Sequence, residues 1–154
     1  MADGVLNMTE DIQYHMILSN LNIAPSGRIE GSDLIIETTN VKVEEGGVIN
    51  LSERGDIKMG DGGGYYNSSA AVYNRGPAYG YFREPTTKGS GSDSSYGGGI
   101  LKIEASGTVE IDGEIKADGG KAGTTSVDGV SGSYGGAAGG SIWITCEIAK
   151  IKGA

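Results

Sequence analysis

Hydrophobic and polar residues alternate in short runs over much of this chain. In residues 97–120, GGGILKIEASGTVEIDGEIKADGG, apolar residues occupy every second position of three runs, which lie around Leu101, Val109 and Ile115. Charged side chains fill the positions between them, and such alternation is typical of β-strands with one buried face. Glycines lie between the runs, where a chain turns sharply at little steric cost. The segment therefore predicts three short strands.

The same pattern is repeated on both sides of this segment. Residues 31–55 carry apolar residues in matching places, and residues 139–154 begin a third copy with two strands. A unit of this kind cannot bury its apolar face until a neighbouring copy stacks on it. We therefore expect an all-β fold, a short parallel β-solenoid (β-helix), in which equivalent apolar pairs form successive layers of one ladder. These pairs are Leu34 with Ile36, Leu101 with Ile103, and Ile142 with Ile144.

The N-terminal part is less regular. Residues 1–12 resemble a loose lead-in, and the alternation that follows them predicts one or two strands of an early layer. Met8, Ile12 and Met16 are also spaced as a helical stripe, so a capping helix is the alternative. We expect residues 1–24 to act as a lead-in or cap, because the open end of a solenoid exposes unpaired strand edges.

Two glycine-rich segments interrupt the repeat, each after its third strand. Residues 60–99 lack Ile, Leu and Met, and residues 119–140 form a shorter and blander segment. Insertions at one position of a repeat project from one face. We therefore expect two long loops on one flank of a single module that spans residues 1–154, with aromatic rings anchoring the first loop. The candidate binding tyrosines of this loop are Tyr65, Tyr66, Tyr79 and Tyr81.

Composition and charge exclude several classes of protein. The chain has 29 glycines among 154 residues but no strict period of three, so it is not collagen-like. Its formal net charge of -8 and dispersed lysines argue against nucleic-acid binding. No run of 18 or more apolar residues predicts a membrane span.

The chain start and the sequons bear on location. The start carries acids and lacks the apolar region of a signal peptide, so the chain is either intracellular or an internal module of a longer secreted protein. Glycosylation sequons at Asn7, Asn50 and Asn67 favour the second interpretation. We therefore expect an extracellular or cell-surface location.

Few residues offer reactive chemistry. Cys146 has no partner for an internal disulfide, and its parity with Ile144 predicts a small buried thiol on a strand. His15, the only histidine, is expected at the surface or in the cap rather than as a metal ligand. Trp143 alternates with inward neighbours, so its ring should point outward, at the position that Lys102 occupies one repeat earlier. Either a glycine-rich loop covers this ring, or it is free for a sugar or another copy to stack on.

Outward carboxylates suggest two further kinds of site. Paired acids on one face of a β-helix could act as general acid and base on a polysaccharide, although a solvated charged face explains the same pattern. Calcium is the other candidate ligand, with Asp61 and Asp118 beside glycines, where oxygen ligands converge in turns. Backbone geometry alone also explains Asp-Gly turns. The outward acids are Glu37, Glu44, Glu45, Glu104, Glu110, Asp112 and Glu114.

The order of motifs resembles a known group of proteins. YGYFREPTTKGSG at residues 79–91, then the 97–120 segment, then GGSIWI at residues 139–144 resemble large glycine-rich, β-helix-like surface or secreted proteins of plants, algae, protists, invertebrates and some bacteria. The resemblance covers roughly residues 22–152 and implies an extracellular, non-enzymatic module. Where such proteins read A-N-G-G, this chain has Ala-Asp-Gly-Gly from Ala117 onward.

These observations favour a structural or adhesive function. We expect a repeat module of a surface, matrix or filament protein, without a cofactor, that associates through open strand edges and loops with other copies or neighbouring modules. The alternative is a glycan-binding or polysaccharide-cleaving β-helix that uses the acidic outer face. A calcium-stabilised module and an ice-binding surface are weaker alternatives.

Overall fold

The computed structural model of this chain contains only β-strands as regular elements among the residues that it describes. These are residues 4–8, 12–55, 64–67, 72–75, 83, 85–92, 95–121, 123–127, 130–133 and 136–152, with backbone alone for 64–67, 72–75, 124–127 and 130–133. The strands are β1 (Val5–Asn7), β2 (Gln13–Ile17), β3 (Asn20–Ile23), β4 (Arg28–Glu30), β5 (Asp33–Thr38), β6 (Asn40–Val43), β7 (Val48–Asn50), β8 (Gly64–Asn67), β9 (Val72–Arg75), β10 (Ile100–Ala105), β11 (Thr108–Ile111), β12 (Glu114–Lys116), β13 (Thr124–Val127), β14 (Val130–Ser133), β15 (Ser141–Thr145) and β16 (Ile148–Ile151).

Twelve of these strands form three parallel sheets of four strands each. Sheet 1 has the order β1-β4-β7-β12, sheet 2 the order β2-β5-β10-β15, and sheet 3 the order β3-β6-β11-β16. The chain visits sheets 1, 2 and 3 in turn and then returns to sheet 1. We call one such set of three strands a circuit, so that β1, β2 and β3 form circuit 1 and β12, β15 and β16 form circuit 4. This order is compatible with a β-solenoid.

Apolar side chains lie in register through the sheets. Because alternate residues of a strand face the same side, each strand contributes one or two apolar residues to the interior. In-register pairing then places them in columns. One column of sheet 1 is Leu6, Ile29, Ile49 and Ile115, and one of sheet 3 is Leu21, Val41, Val109 and Ala149.

The predicted ladder is confirmed. Leu34 and Ile36 lie on β5, and the equivalent residues of the next two repeats lie on β10 and β15, its successors in sheet 2. The middle strands bury their pairs completely: Leu34, Ile36, Leu101 and Ile103 are all 0% exposed.

The prediction of one or two strands of an early layer over residues 12–23 is confirmed by β2 and β3, whereas β1 is a strand where a loose lead-in is expected. Each of these three strands belongs to a different sheet, and β1 pairs in parallel with β4. In β2 the period-two pattern of Tyr14 and Met16 matches Leu34 and Ile36 in register. This packing outweighs the helical spacing of Met8 and Met16, so the helix alternative is wrong.

The chain divides into two compact units. Unit 1 comprises residues 1–51, 101–116 and 142–154, and unit 2 comprises residues 52–100 and 117–141. Unit 2 therefore holds both predicted insertions. The single module over residues 1–154 and the position of the loops on one flank stay predictions.

The insertions contain regular structure that the sequence did not predict. Strands β8 and β9 form an antiparallel hairpin, and β13 and β14 form another. Within the described residues of unit 2, neither hairpin joins a parallel sheet. The glycine-rich segments are thus not wholly irregular, although their described residues add no further circuit.

Unit 2 also holds a bundle of glycine-rich segments joined by backbone hydrogen bonds. Successive carbonyls in a strand alternate between two directions, whereas those of residues 96–99 accept from four different parts of the chain. In order, the carbonyls of Tyr96, Gly97, Gly98 and Gly99 accept from the N–H groups of Gly120 (2.8 Å), Gly55 (2.6 Å), Gly89 (2.8 Å) and Ser141 (3.0 Å).

Close backbone approach explains why these segments are rich in glycine. A Cβ added at Gly97 would overlap the carbonyl oxygen of Gly89, and one at Gly140 would overlap that of Gly99. By contrast, a Cβ at Gly139 would lie 3.5 Å from its nearest neighbour, which is an ordinary contact. Glycine is therefore required at particular positions of the bundle and not throughout it.

Candidate functional site

A polar groove of about 540 Å³ lies in unit 1, where the sheet 2 strands end. Its lining includes Glu37 and Glu104, which the strand alternation turns outward on neighbouring strands, and Thr145 on the next strand. Ile17 borders the groove on the side of circuit 1. The outward side chains of the groove thus form a row, one from each circuit.

Each glutamate of the groove has a basic partner. His15 Nε2 lies 2.7 Å from Glu37 Oε1, and Lys102 Nζ lies 3.1 Å from Glu104 Oε1. The same Lys102 ammonium lies 5.1 Å from the centroid of the Trp143 ring, a cation–π distance. Lys102 therefore links the ring to the groove. Such a combination of an indole, carboxylates and hydroxyls is chemically suited to a neutral polar ligand such as a sugar.

Trp143 lies where the alternation placed it. Its ring points outward, is half-buried, and has Lys102 of the preceding repeat as its neighbour. His15 is exposed and hydrogen-bonded to Glu37, as expected of a surface residue. Cys146 differs from the prediction, since it follows β15 rather than lying within it and is half-buried. The thiol is less covered because circuit 4 has no neighbouring circuit beyond it among the described residues.

The predicted acid and base residues of the outer face are held in ion pairs. Register places Glu110 between Lys42 and Lys150, whose ammonium groups lie 3.2 and 3.7 Å from its carboxylate oxygens. Lys152 Nζ lies 2.9 Å from Asp112 Oδ1. Charge thus alternates in sign from circuit 2 to circuit 4 along sheet 3, which supports a charged outer face.

The pKa directions agree with this geometry. Hydrogen bonding to the Lys152 ammonium lowers the pKa of the Asp112 carboxyl, and the same contact raises the pKa of Lys152. Hydrogen bonding to Glu110 raises the pKa of Lys42. A carboxyl with a lowered pKa is ionised at neutral pH, whereas a general acid must hold its proton. Asp112 therefore does not fit the acid role.

Of the two calcium candidates, only Asp118 lies among the described residues. Asp118 N donates to Ser52 Oγ at 3.1 Å, and Ser52 Oγ donates to the Asp118 carboxylate at 3.3 Å, which makes a local clamp. In the ranges given above, no group of three or more His, Cys, Asp or Glu residues is placed to hold a metal ion. Asp61 lies outside the described residues.

The remaining candidates are only partly described. Asn7 is exposed on β1 and Asn50 is half-buried on β7. The other sequon, Asn67, lies on β8, whose backbone alone is described, as do Tyr65 and Tyr66. Tyr79 and Tyr81 lie outside the described residues. The expectation that aromatic rings anchor the first insertion fails at Tyr96, whose side chain is exposed.

The sheet edges carry a feature that alternation alone did not indicate. Two interior-facing residues of the outermost strands are exposed, since Leu6 on β1 is 50% exposed and Ile151 on β16 is 61% exposed, whereas Ile23 on the outer strand β3 is only 5% exposed. Their counterparts in the middle of the same columns, Ile49 and Ile111, are 0% and 6% exposed. Among the described residues, no strand pairs with the outer edges of circuits 1 and 4. The column of Leu6 is therefore open at circuit 1, and the column of Ile151 is open at circuit 4.

Circuit 1 differs from the other circuits in charge. Its described strands, VLN, QYHMI and NLNI, contain no Lys, Arg, Asp or Glu. Natural proteins usually protect edge strands from pairing with charges, prolines or bulges. The edge of circuit 1 instead adds the outward Ile17, which is 74% exposed. This edge is therefore suited to accept further strands.

Comparisons with protein families, with curated proteins and with solved structures find no match to this chain. Within the described residues, no helix is long and apolar enough to cross a membrane.

Proposed function

We propose that this chain is a structural repeat module, a short β-solenoid that assembles with other copies or neighbouring modules through its open strand edges. The observation that carries the proposal is the exposure of interior apolar columns at both edges, at Leu6 and Ile151. Exposed apolar side chains beside unpaired backbone N–H and C=O groups favour strand addition. Solenoid ends that lack a polar cap are expected to be covered by another unit.

Other features agree with a structural role. The outer face of sheet 3 holds its charges in cross-strand ion pairs between Lys42, Glu110 and Lys150. The resemblance to glycine-rich surface proteins and the sequon at the exposed Asn7 support an extracellular surface, matrix or filament protein. The glycine-rich segments of unit 2 offer a second region for contacts between modules.

Sedimentation of the purified chain over a range of concentrations tests the module proposal. We expect the apparent mass to rise with concentration, and Ile151→Asp to prevent the rise, because it would bury a carboxylate at the edge. The exposed turn variant Thr39→Asp is the matched control and should associate like the wild type. A wild-type chain that stays monomeric at every concentration would contradict the proposal.

A second candidate function is glycan binding or cleavage. The groove beside Trp143 favours it, because Glu104, Lys102 and the ring form one connected set. Aromatic rings bind sugars through stacking, and nearby carboxylates orient their hydroxyls. Because the lowered pKa of Asp112 does not fit the acid role, this candidate depends on the glutamates of the groove, which the sequence also offered.

A polysaccharide screen separates the two functions. Binding that Trp143→Ala abolishes, or turnover that Glu104→Gln abolishes, would favour the glycan function. Asp112→Asn is the control on sheet 3, and it should leave either signal unchanged. No binding by the wild type would leave the module proposal as the better account.

A further inference from the structure

The two open edges are complementary in strand direction. Strands β1, β2 and β3 form the edge of circuit 1, and β12, β15 and β16 form the edge of circuit 4, each with one strand from every sheet. All strands within a sheet run parallel. If a second copy is shifted along the stack by the height of the four circuits, its circuit 1 strands therefore lie beside the circuit 4 strands of the first copy and run parallel to them. Head-to-tail contacts of this kind add one copy after another and do not close into a ring, so they build a filament.

Side chains at the two edges are also complementary. In sheet 3, Ile151 continues the column of Ile111, and the column begins with Ile23 at the other edge. Stacking would place Ile151 of one copy beside Ile23 of the next, which is 5% exposed in the single chain. In sheet 1 it would place Ile115 beside Leu6, which is 50% exposed. In sheet 2, Ile142 would meet Tyr14. An unrelated strand could cover one sheet, but covering three at once requires a partner with the same three-sheet geometry. This chain supplies it.

Charge favours this direction over a symmetric contact between two circuit 4 edges. Circuit 4 presents Lys150 on β16 and Glu114 and Lys116 on β12, whereas the described strands of circuit 1 carry no Lys, Arg, Asp or Glu. Joining two circuit 4 edges would bring the lysines of two β16 strands together. Joining circuit 4 to circuit 1 opposes each charged position with a neutral one and creates no like-charge contact.

The corner between sheets 2 and 3 sets the register of the contact. The segment that joins sheet 2 to sheet 3 has the same length in two circuits, running from Met16 to Asn20 in circuit 1 and from Ile144 to Ile148 in circuit 4. In circuit 3 this segment has one more residue, at Gly107. The edges therefore match without a bulge. The bond from Leu18 N to Glu37 O (2.9 Å) extends the pairing of β2 and β5 to Leu18. The bond from Ser141 N to Gly99 O (3.0 Å) fixes the register of β15 on β10. This register puts Cys146 of circuit 4 in the same column as Leu18 of circuit 1.

We propose that copies of this chain stack head to tail, with β1, β2 and β3 of one copy adding in parallel to β12, β15 and β16 of the next, and with Leu18 of one copy opposite Cys146 of its neighbour. This inference rests on the proposed structural function and specifies its interface. Neighbouring parallel strands are about 4.8 Å apart, which is within the Cα separation of a disulfide. The native thiol therefore reports on the contact.

Disulfide trapping between two single-thiol proteins tests the register. The wild type carries only Cys146, and the double variant Leu18→Cys, Cys146→Ser carries only the new thiol at position 18. An equal mixture is oxidised with diamide, which takes up the two electrons and two protons of each thiol pair. We expect the mixed disulfide to exceed each symmetric one at least tenfold. Random collision would give only a twofold excess.

The matched control places the thiol one residue earlier, in Ile17→Cys, Cys146→Ser. Position 17 is more exposed than position 18, but it faces outward and would lie opposite Thr145, so it should give the random proportions. Random proportions for position 18, or an equal excess for position 17, would overturn the register. Should the wild type associate in sedimentation while position 18 gives random proportions, the inference is wrong and the module proposal stands. A monomeric wild type contradicts both.

Hydrogen exchange of the unsubstituted protein provides a second test. Raising the concentration should slow amide exchange in β2 and β15 at least tenfold and leave the central strand β5 unchanged. Equal protection of all strands, or none at either edge, would overturn the proposed contact even if the cysteine variants do not fold.

Discussion

The described residues of units 1 and 2 form extended, hydrogen-bonded segments in both cases, but the two units bury different parts of the chain. In unit 1, columns of apolar side chains fill the space between the sheets, with Leu34, Ile49 and Leu101 fully buried. In unit 2, backbone packs directly on backbone around residues 96–99, and the buried side chains there are small serines such as Ser90 and Ser92. The first arrangement depends on large side chains that fill the interior. The second requires positions without a side chain, so that backbones can touch.

This difference predicts opposite responses to substitution. Where side chains fill the interior, removing atoms leaves a cavity. Where carbonyls occupy the position of a Cβ, adding one atom forces the segments apart. The predictions below test this contrast from the largest expected effect to the smallest.

Truncation in unit 1 should have the largest effect. Leu101→Ala should lower the free energy of unfolding by about 2–5 kcal/mol, because Leu101 is 0% exposed between β5 and β15. Urea denaturation followed by circular dichroism measures the change. The adjacent outward variant Lys102→Ala is the control and should cost less than about 1 kcal/mol. Equal losses for both would argue against the assigned faces of β10.

A single added carbon in unit 2 should have the next largest effect. Gly140→Ala should cost about 1–3 kcal/mol, because its Cβ would overlap the backbone of Gly98 and Gly99. The neighbouring Gly139→Ala offers a matched control, since its Cβ would lie 3.5 Å from the nearest atom. It should be neutral within about 0.5 kcal/mol. Similar effects of the two substitutions would contradict direct backbone packing.

Loss of a polar link between circuits should have a moderate effect. Asn40 Nδ2 donates to Asn20 Oδ1 at 2.9 Å, and Asn40 Oδ1 accepts from Thr108 N at 2.9 Å, so one amide joins three circuits. Asn40→Ala should lower stability by about 1–2 kcal/mol, because it removes two hydrogen bonds. Asn22→Ala removes one exposed bond to Glu44 and should have less effect in the same urea assay. A larger loss for Asn22→Ala would count against this role of Asn40.

The smallest expected effect is a pH dependence in the ion pairs of sheet 3. Because the pKa of Asp112 is lowered, its contribution is present above the unfolded pKa and is lost as acid titrates the folded carboxyl. The pKa of Lys152 is raised, so its contribution is present below the ordinary value of 10.5 and is lost at higher pH. The melting temperatures of the wild type and Asp112→Asn should therefore become equal at both low and high pH. A constant difference across pH would exclude this linkage.

Much of unit 1 could be predicted because alternation gives each strand a buried face. Leu101 with Ile103 and Val109 with Ile111 defined their strands directly. Strand β1 could not be found in this way, since Val5 to Asn7 is too short to show a period and is fixed only by pairing with β4. The backbone bundle of unit 2 depends on hydrogen bonds between distant residues such as Gly98 and Ala138. Glycines carry no side-chain pattern that would indicate such partners.

The candidate sites divide in a similar way. Outward positions of Trp143 and Glu104 followed from alternation, whereas the partners of Glu110 depend on register between circuits. The exposed columns at Leu6 and Ile151 could not be recognised until the order of strands in each sheet was known.

Fibre diffraction from concentrated protein tests most directly whether circuits of separate copies continue one stack. The account predicts filaments with a reflection at about 4.8 Å along the filament axis, the spacing of neighbouring strands. A reflection at this spacing across the axis, or a solution that contains only single particles at every concentration, would contradict it.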